Sequence, residues 1–301
     1  MIALELDSVR KSYDSVVAVD DLCLSIPEGR IFGLLGPNGA GKTTTIRMMV
    51  GIIIPDAGAV RIFGEAFERR HLRKVGYLPE ERGLYRKARV SDLLLYLGQL
   101  NGLTRADALR SARQWAERLD LGDWLGRKVE ELSKGMQQKV QFIAAVIHEP
   151  RFIIMDEPFA GLDPVNAARM MDILLELKQS GRTILFSTHR MDQVERLCET
   201  ICLIDHGKAV LRGRLSDLKA QFGRREVRLE YEGVGHFMVD ERLVASRTER
   251  NGCVELCLAS DADPQELLRN ASASGRVTRF EVIEPSLEEI FIEIVGARDG
   301  V

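Results

Sequence analysis

A single glycine-rich turn constrains this chain more than anything else in it. In "RIFGLLGPNGAGKTTT" an apolar strand runs straight into a loop that holds Gly36, Gly41, Lys42 and Thr43 in the spacing G-x-x-x-x-G-K-T. Glycines so placed let backbone N–H groups turn inward on one concavity, which suits a chain of phosphates. Lys42 would reach the terminal phosphates and Thr43 would offer its hydroxyl to Mg²⁺, with Pro37, Asn38, Gly39, Ala40 and Thr44 completing the loop. The next segment, "TTTIRMMVG", is expected to open a helix whose positive N-terminal end favours an anion. The plain alternative is a glycine-rich turn that holds no ligand. The order strand, loop, helix argues against it.

A second strand carries the acids. In "FIIMDEP", Phe152 to Met155 are apolar and deliver Asp156 to the strand end, where ligands collect in open α/β sheets. A carboxylate there can hold Mg²⁺ through water, and Glu157 beside it is the natural acceptor for a proton from an attacking water. Acidic caps often end strands, so "DE" gains its meaning from the glycine loop upstream. The runs "TILFSTH" and "ICLIDHG" have the same short apolar form, which is that of strands covered on both faces. The fold class is therefore α/β around a mainly parallel sheet.

Residues from about 88 to 148 differ, being rich in Leu, Ala, Arg and Gln with helical stretches such as "SDLLLYLGQL" and "RADALRSARQWAERL". They read as a helical lobe inserted in the α/β core, with the leucine stripe as its interior. Beyond "LKAQFGRR" the pattern changes again. "EVRLEYE", "CVELCLA" and "RVTRFEVIE" alternate with period two, "RNG" supplies a turn, "DPQELLRNAS" is a capped helix, and "PSLEEIFIEIVG" is a closing helix with Pro near its first turn. Two domains are expected, residues 1–218 and a small α+β domain over 224–298.

Composition mainly excludes. The chain has 301 residues, a net charge of −3 and 29% charged residues, with no basic excess to mark a nucleic-acid partner. Its five cysteines, Cys23, Cys198, Cys202, Cys253 and Cys257, form no C-x-x-C pair and read as reduced thiols. Cys253 and Cys257 are expected on one face of a strand. No apolar run approaches the 18 or more residues a membrane-crossing helix needs. The N-terminus lacks the apolar centre of a signal peptide.

The stretch "LSKGMQQK" names the kind of machine. It resembles the signature, close to "LSGGQ", that precedes the acidic strand in the nucleotide-binding subunits of ABC transporters. The resemblance covers residues 2 to about 217. It implies a P-loop NTPase of the ABC ATPase type, in which an antiparallel β subdomain joins the parallel core and helical lobe. It implies that Leu132, Ser133, Lys134, Gly135, Met136 and Gln137 close over ATP held by a partner subunit. Lys134 and Met136 depart from the common Gly and Gln, a variation seen in exporters. "PFAGLDP" resembles the D-loop, with Asp163 facing across a dimer. "LFSTHRMDQVE" puts His189 where the family's switch histidine meets the γ-phosphate and the attacking water. Tyr13 falls where the family stacks a ring on adenine, although a tyrosine packed on a sheet edge would look the same. Glu80 stands where the family has Gln as a Mg²⁺ ligand, so the effect of its added negative charge stays open. The loop of Glu81, Arg82, Arg86, Lys87 and Arg89 would lie near a membrane partner or form a solvated charged face.

The C-terminal region resembles the small extra domain of ATPases that serve ABC-2-type exporters. Together these imply an ATP- and Mg²⁺-using ATPase, cytoplasmic and peripheral on the inner face of the membrane. It would work as a homodimer with an integral-membrane ABC-2-type permease. A soluble ABC ATPase of translation or repair is the alternative, but such chains carry two cassettes or a long coiled coil.

Overall fold

The computed structural model describes residues 1–301 other than 82, 223–225, 233–241, 251–252, 260–261, 284 and 300–301. Arg82 and the Asn251–Gly252 turn therefore lie outside the described residues. Two compact units are present, Met1–Leu215 and Ser216–Val301.

The first unit opens with β1 (Ile2–Tyr13), β2 (Val16–Pro27) and β3 (Ile31–Leu35), then α1 (Lys42–Met49), β4 (Ala57–Ile62), β5 (Glu65–Ala66) and β6 (Val75–Leu78). The helical lobe follows as α2 (Val90–Leu100), α3 (Arg105–Arg118) and α4 (Lys134–Val146). The chain returns to the core through β7 (Phe152–Asp156), α5 (Pro164–Gln179), β8 (Thr183–Thr188), α6 (Met191–Leu197), β9 (Thr200–Asp205) and β10 (Lys208–Arg214). The helix α7 (Leu215–Phe222) leads into the second unit, made of β11 (Glu226–Glu232), β12 (Val244–Arg250), β13 (Cys253–Leu258), α8 (Pro264–Ser274), β14 (Arg276–Ile283) and α9 (Leu287–Asp299).

Three sheets result. The central one runs β10-β9-β3-β8-β7-β6, parallel throughout except for the antiparallel edge strand β10. Its inner strands β3, β7 and β8 are buried at every position, as continuous apolar runs require when helices cover both faces. A four-stranded antiparallel sheet, β2-β1-β4-β5, stands beside it, and the buried residues of both form one apolar cluster that includes Leu4, Ile26, Phe32 and Ile154. In the helical lobe, Val90, Leu93, Leu94 and Leu95 are buried on α2, so the first part of the leucine stripe is core, while Leu100 at its end is 66% exposed.

The second unit has the sheet order β12-β13-β11-β14, antiparallel in every pairing. Val254, Leu256 and Leu258 point into its core with Val227, Leu229 and Leu267, and Cys257 lies on the opposite, half-exposed face of β13. Asp263 caps α8 ahead of Pro264, as its sequence promised. Pro285 stands two residues before α9 rather than inside it. Ser286 takes the cap, accepting the Glu289 N–H at 3.2 Å while Glu289 accepts the Ser286 N–H at 2.7 Å. This reciprocal box satisfies two end groups at once, which fixes the helix start after the proline.

Candidate functional site

The parallel strands β3, β7 and β8 end together, and their register decides which side chains meet. Leu35 lies opposite Thr188 and Asp156 opposite Ser187. The glycine loop leaves the end of β3 and wraps back into α1. Gly36 and Gly41 hold left-handed backbone, φ +150° and +103°. A Cβ at Gly36 would sit 2.1 Å from the Ile204 carbonyl oxygen, and one at Gly41 2.4 Å from that of Ala18. Only glycine passes these points, so the cradle is set by two close backbone approaches.

Lys42 opens α1 and is almost wholly buried. Its Nζ donates to the carbonyls of Gly36 at 2.7 Å and Pro37 at 3.0 Å. Burial lowers its pKa, and the charges of Glu157, Asp156 and Glu80 oppose that shift. All three acids therefore act on this one ammonium. Thr43 and Thr44 follow it, half-buried, on the first turn of the helix.

Asp156 is 1% exposed. The Ser187 hydroxyl donates to its Oδ1, and its Oδ2 is buried with no hydrogen-bond partner. A buried carboxylate oxygen without a donor costs several kcal/mol unless a cation or donor faces it. The groups present fit a divalent cation that brings its own waters and phosphate oxygens, as Mg²⁺ does. Among the described residues no three-acid or histidine cluster offers an all-protein metal cage.

Glu157 sits at φ +48°, a conformation that costs a non-glycine residue about 1–3 kcal/mol. Its carboxylate shows what holds it there. Oε1 accepts the His189 backbone N–H at 3.1 Å and lies 2.7 Å from His189 Nδ1, while Oε2 accepts the Thr188 hydroxyl at 3.2 Å. The His189 ring itself is 55% exposed, so one nitrogen is held by Glu157 and the rest of the ring faces outward. Glu80 is exposed just after β6. The loop around it is anchored by Gln141 Nε2, which donates to Pro79 O at 2.8 Å and Glu81 O at 3.2 Å. Tyr13, at the end of β1, is 44% exposed with the Lys11 ammonium 5.7 Å from its ring centre.

The signature stretch stands apart from these groups. Ser133 caps α4, its Oγ accepting the Met136 N–H at 3.3 Å, and Ser133 and Lys134 are exposed. Gln137 Nε2 holds the carbonyls of Val129 and Leu132, and Leu132 is buried. Gly135 packs on the "AGLD" turn, where a Cβ would lie 3.3 Å from the Gly161 carbonyl oxygen. Asp163 caps α5 by accepting the Asn166 N–H at 2.9 Å, which holds its carboxyl below the usual aspartate range.

Several supporting residues carry no motif. Ser187 and Thr188 orient Asp156 and Glu157. Gln138 Nε2 donates to Pro158 O at 3.0 Å, and Gln141 ties the Glu80 loop to α4. The signal that could have found them is polarity on the buried side of "QQKVQFIAAV", where Gln138 and Gln141 are spaced by one helical turn.

An anion cradle whose lysine feels three nearby acids, one of them hydrogen-bonded to a histidine, suits phosphoryl transfer to water, the work of a nucleotide-hydrolysing α/β domain. Comparison with known proteins narrows this. Residues 19–160 match the family model described as ABC transporter, and residues 213–295 match that described as ATP-binding protein DrrA1-3-like, C-terminal domain. The chain is 44% identical to the uncharacterized ABC transporter ATP-binding protein YhaQ of Bacillus subtilis, across 98% of this chain and 99% of that one. It is 35% identical to the Nod factor export ATP-binding protein I of Paraburkholderia xenovorans, across 98% and 97%. A solved structure of an ATP binding subunit of an ABC transporter superposes with a TM-score of 0.68 at 32% identity, covering 73% of this chain and 93% of that one. The chain belongs to the ATP-binding proteins of ABC transporters, a family of ATPases. Among the described residues no helix is long and apolar enough to cross a membrane.

Proposed function

We propose that this chain is the ATP-hydrolysing motor subunit of an ABC-2-type export system. Two copies close around two ATP, and closing and reopening drive a separate integral-membrane permease from its cytoplasmic side. The observation that carries this is the Glu157–His189 hydrogen bond of 2.7 Å beside the loop of Lys42. A base already oriented by a second group is what hydrolysis requires of the protein.

Residues 36–44 bind the phosphate chain, with Lys42 exchanging the Gly36 and Pro37 carbonyls for phosphate oxygens. Thr43, Asp156 and Glu80 would hold Mg²⁺, partly through water, and the ion would supply neutralisation of charge on the phosphates. Glu157 takes the proton of the attacking water, while His189 keeps the carboxylate aimed and presents its exposed edge to the γ-phosphate. Tyr13 stacks on adenine. Ser133 and Gly135 bring a hydroxyl and the free N–H groups of a helix start to the partner's ATP, with Asp163 beside them. Export is supported by the similarity to the Nod factor export ATP-binding protein I and by the C-terminal match.

Glu157→Gln tests the reading. ATP binding is retained, phosphate release falls on the order of 10²–10⁴-fold, and gel filtration with ATP and Mg²⁺ shows a trapped dimer. Normal hydrolysis from a species that stays monomeric would refute it.

A further inference from the structure

The two oxygens of Glu157 are held differently. Oε1 faces His189 twice, accepting its backbone N–H and lying 2.7 Å from its Nδ1. Oε2 has a single partner among the described residues, the Thr188 hydroxyl at 3.2 Å. Oε2 is thus the oxygen with a lone pair to spare, and the Thr188 proton sets its direction.

What aims that proton lies on the next helix. Gln193, in the first turn of α6, is 2% exposed, and its Oε1 lies 3.2 Å from the same Thr188 Oγ1. A glutamine at the third position of a helix ordinarily reaches back to the N–H of the capping residue. Here that N–H, of Arg190, donates to Thr188 Oγ1 at 3.1 Å instead. The Gln193 side chain and the Arg190 backbone therefore converge on one buried hydroxyl. A hydroxyl has one proton and two lone pairs. If Thr188 gave its proton to Gln193, Glu157 Oε2 would lose its donor and face a lone pair, the costly case of a charged group left unpaired. A half-turn of the Gln193 amide removes the conflict by bringing Nε2 to the place of Oε1. Gln193 and Arg190 then both donate to Oγ1, and the proton of the hydroxyl is left for Glu157.

We propose that Gln193 is a positioning residue for hydrolysis: by donating to Thr188 it aims the threonine proton at Glu157 Oε2 and fixes the carboxylate toward the attacking water. Gln193 makes no hydrogen bond to Glu157 and acts through the hydroxyl alone. The inference rests on the reading of Glu157 as the base.

Single-turnover hydrolysis of ATP with Mg²⁺ by the full chain tests it, since this isolates the chemical step. Gln193→Met, close in volume but without an amide, lowers the rate about fivefold, the worth of one neutral hydrogen bond, while ATP affinity stays within twofold. Thr188→Val lowers the rate at least tenfold. The double variant is no slower than Thr188→Val alone, because the amide has no other route to the carboxylate. Gln193→Leu gives the same result should Met crowd the helix start. Losses that multiply in the double variant mark a packing role and overturn the proposal. So does a wild-type rate in Thr188→Val, or a Gln193→Met rate at or above wild type, which would put the Thr188 proton on the amide oxygen. Glu157→Gln separates the two claims. Wild-type turnover there sinks the base and this inference together, whereas an inactive Glu157→Gln beside a fully active Gln193→Met sinks the inference alone.

Discussion

Two parts of the first unit carry the motifs of this family, and they are built on opposite plans. Around Lys42, Asp156 and Glu157 the charges are withdrawn from water and face one another, and the Asp156 carboxylate keeps one oxygen unengaged. Around Ser133 and Asp163 the polar side chains are exposed and already employed as helix caps. The difference matters for the proposed function: on that reading one half would hold a ligand by itself, and the other would be brought to one, since an exposed helix start gains from an anion only when something delivers it.

This contrast can be broken from either side. On the proposed reading, Lys42→Ala removes the buried charge that would meet the phosphates and is expected to weaken ATP binding on the order of 10²–10³-fold, measured on dilute monomer with a fluorescent nucleotide. Ser133→Arg should leave that same binding within twofold yet lower turnover at least tenfold, because the bulk obstructs closure. Should Ser133→Arg weaken monomer binding as Lys42→Ala does, the two halves are one site and the division fails. Ser187→Ala leaves Asp156 Oδ1 without its donor and should cost about 1–3 kcal/mol of stability, read by denaturant unfolding, with a raised Mg²⁺ requirement for hydrolysis. Asp163→Ala removes one exposed cap and should cost only about 1 kcal/mol. A larger loss without nucleotide would mean that its role lies inside the monomer.

What the sequence made legible follows the same line. The placement of Lys42 and Thr43 at the start of α1, Asp156 and Glu157 at the end of β7 and Ser133 at the cap of α4 was readable because each motif is local and a few residues fix the backbone path. The parallel sheet was readable too, since strands covered on both faces must be apolar throughout. Ser187 was not, because its importance comes from standing opposite Asp156 in the β7–β8 register, thirty-one residues away in the chain. Gln141 was hidden likewise. Its value lies in the carbonyls of Pro79 and Glu81, which no spacing within α4 announces. The start of α9 shows a third kind of miss. Proline at a helix entrance is a sound rule, but the Ser286–Glu289 box outcompetes it by satisfying both ends of the exchange.

The lysine that grips its own loop has a thermodynamic corollary. Because Lys42 is already bonded to the carbonyls of Gly36 and Pro37, on the proposed reading the cradle arrives pre-formed, with a stand-in where the nucleotide's oxygens would go. Uptake then becomes a swap of partners rather than an ordering of loose chain. Calorimetry on the isolated subunit should accordingly register a small heat-capacity change for the first nucleotide, leaving the large one to the moment two subunits meet.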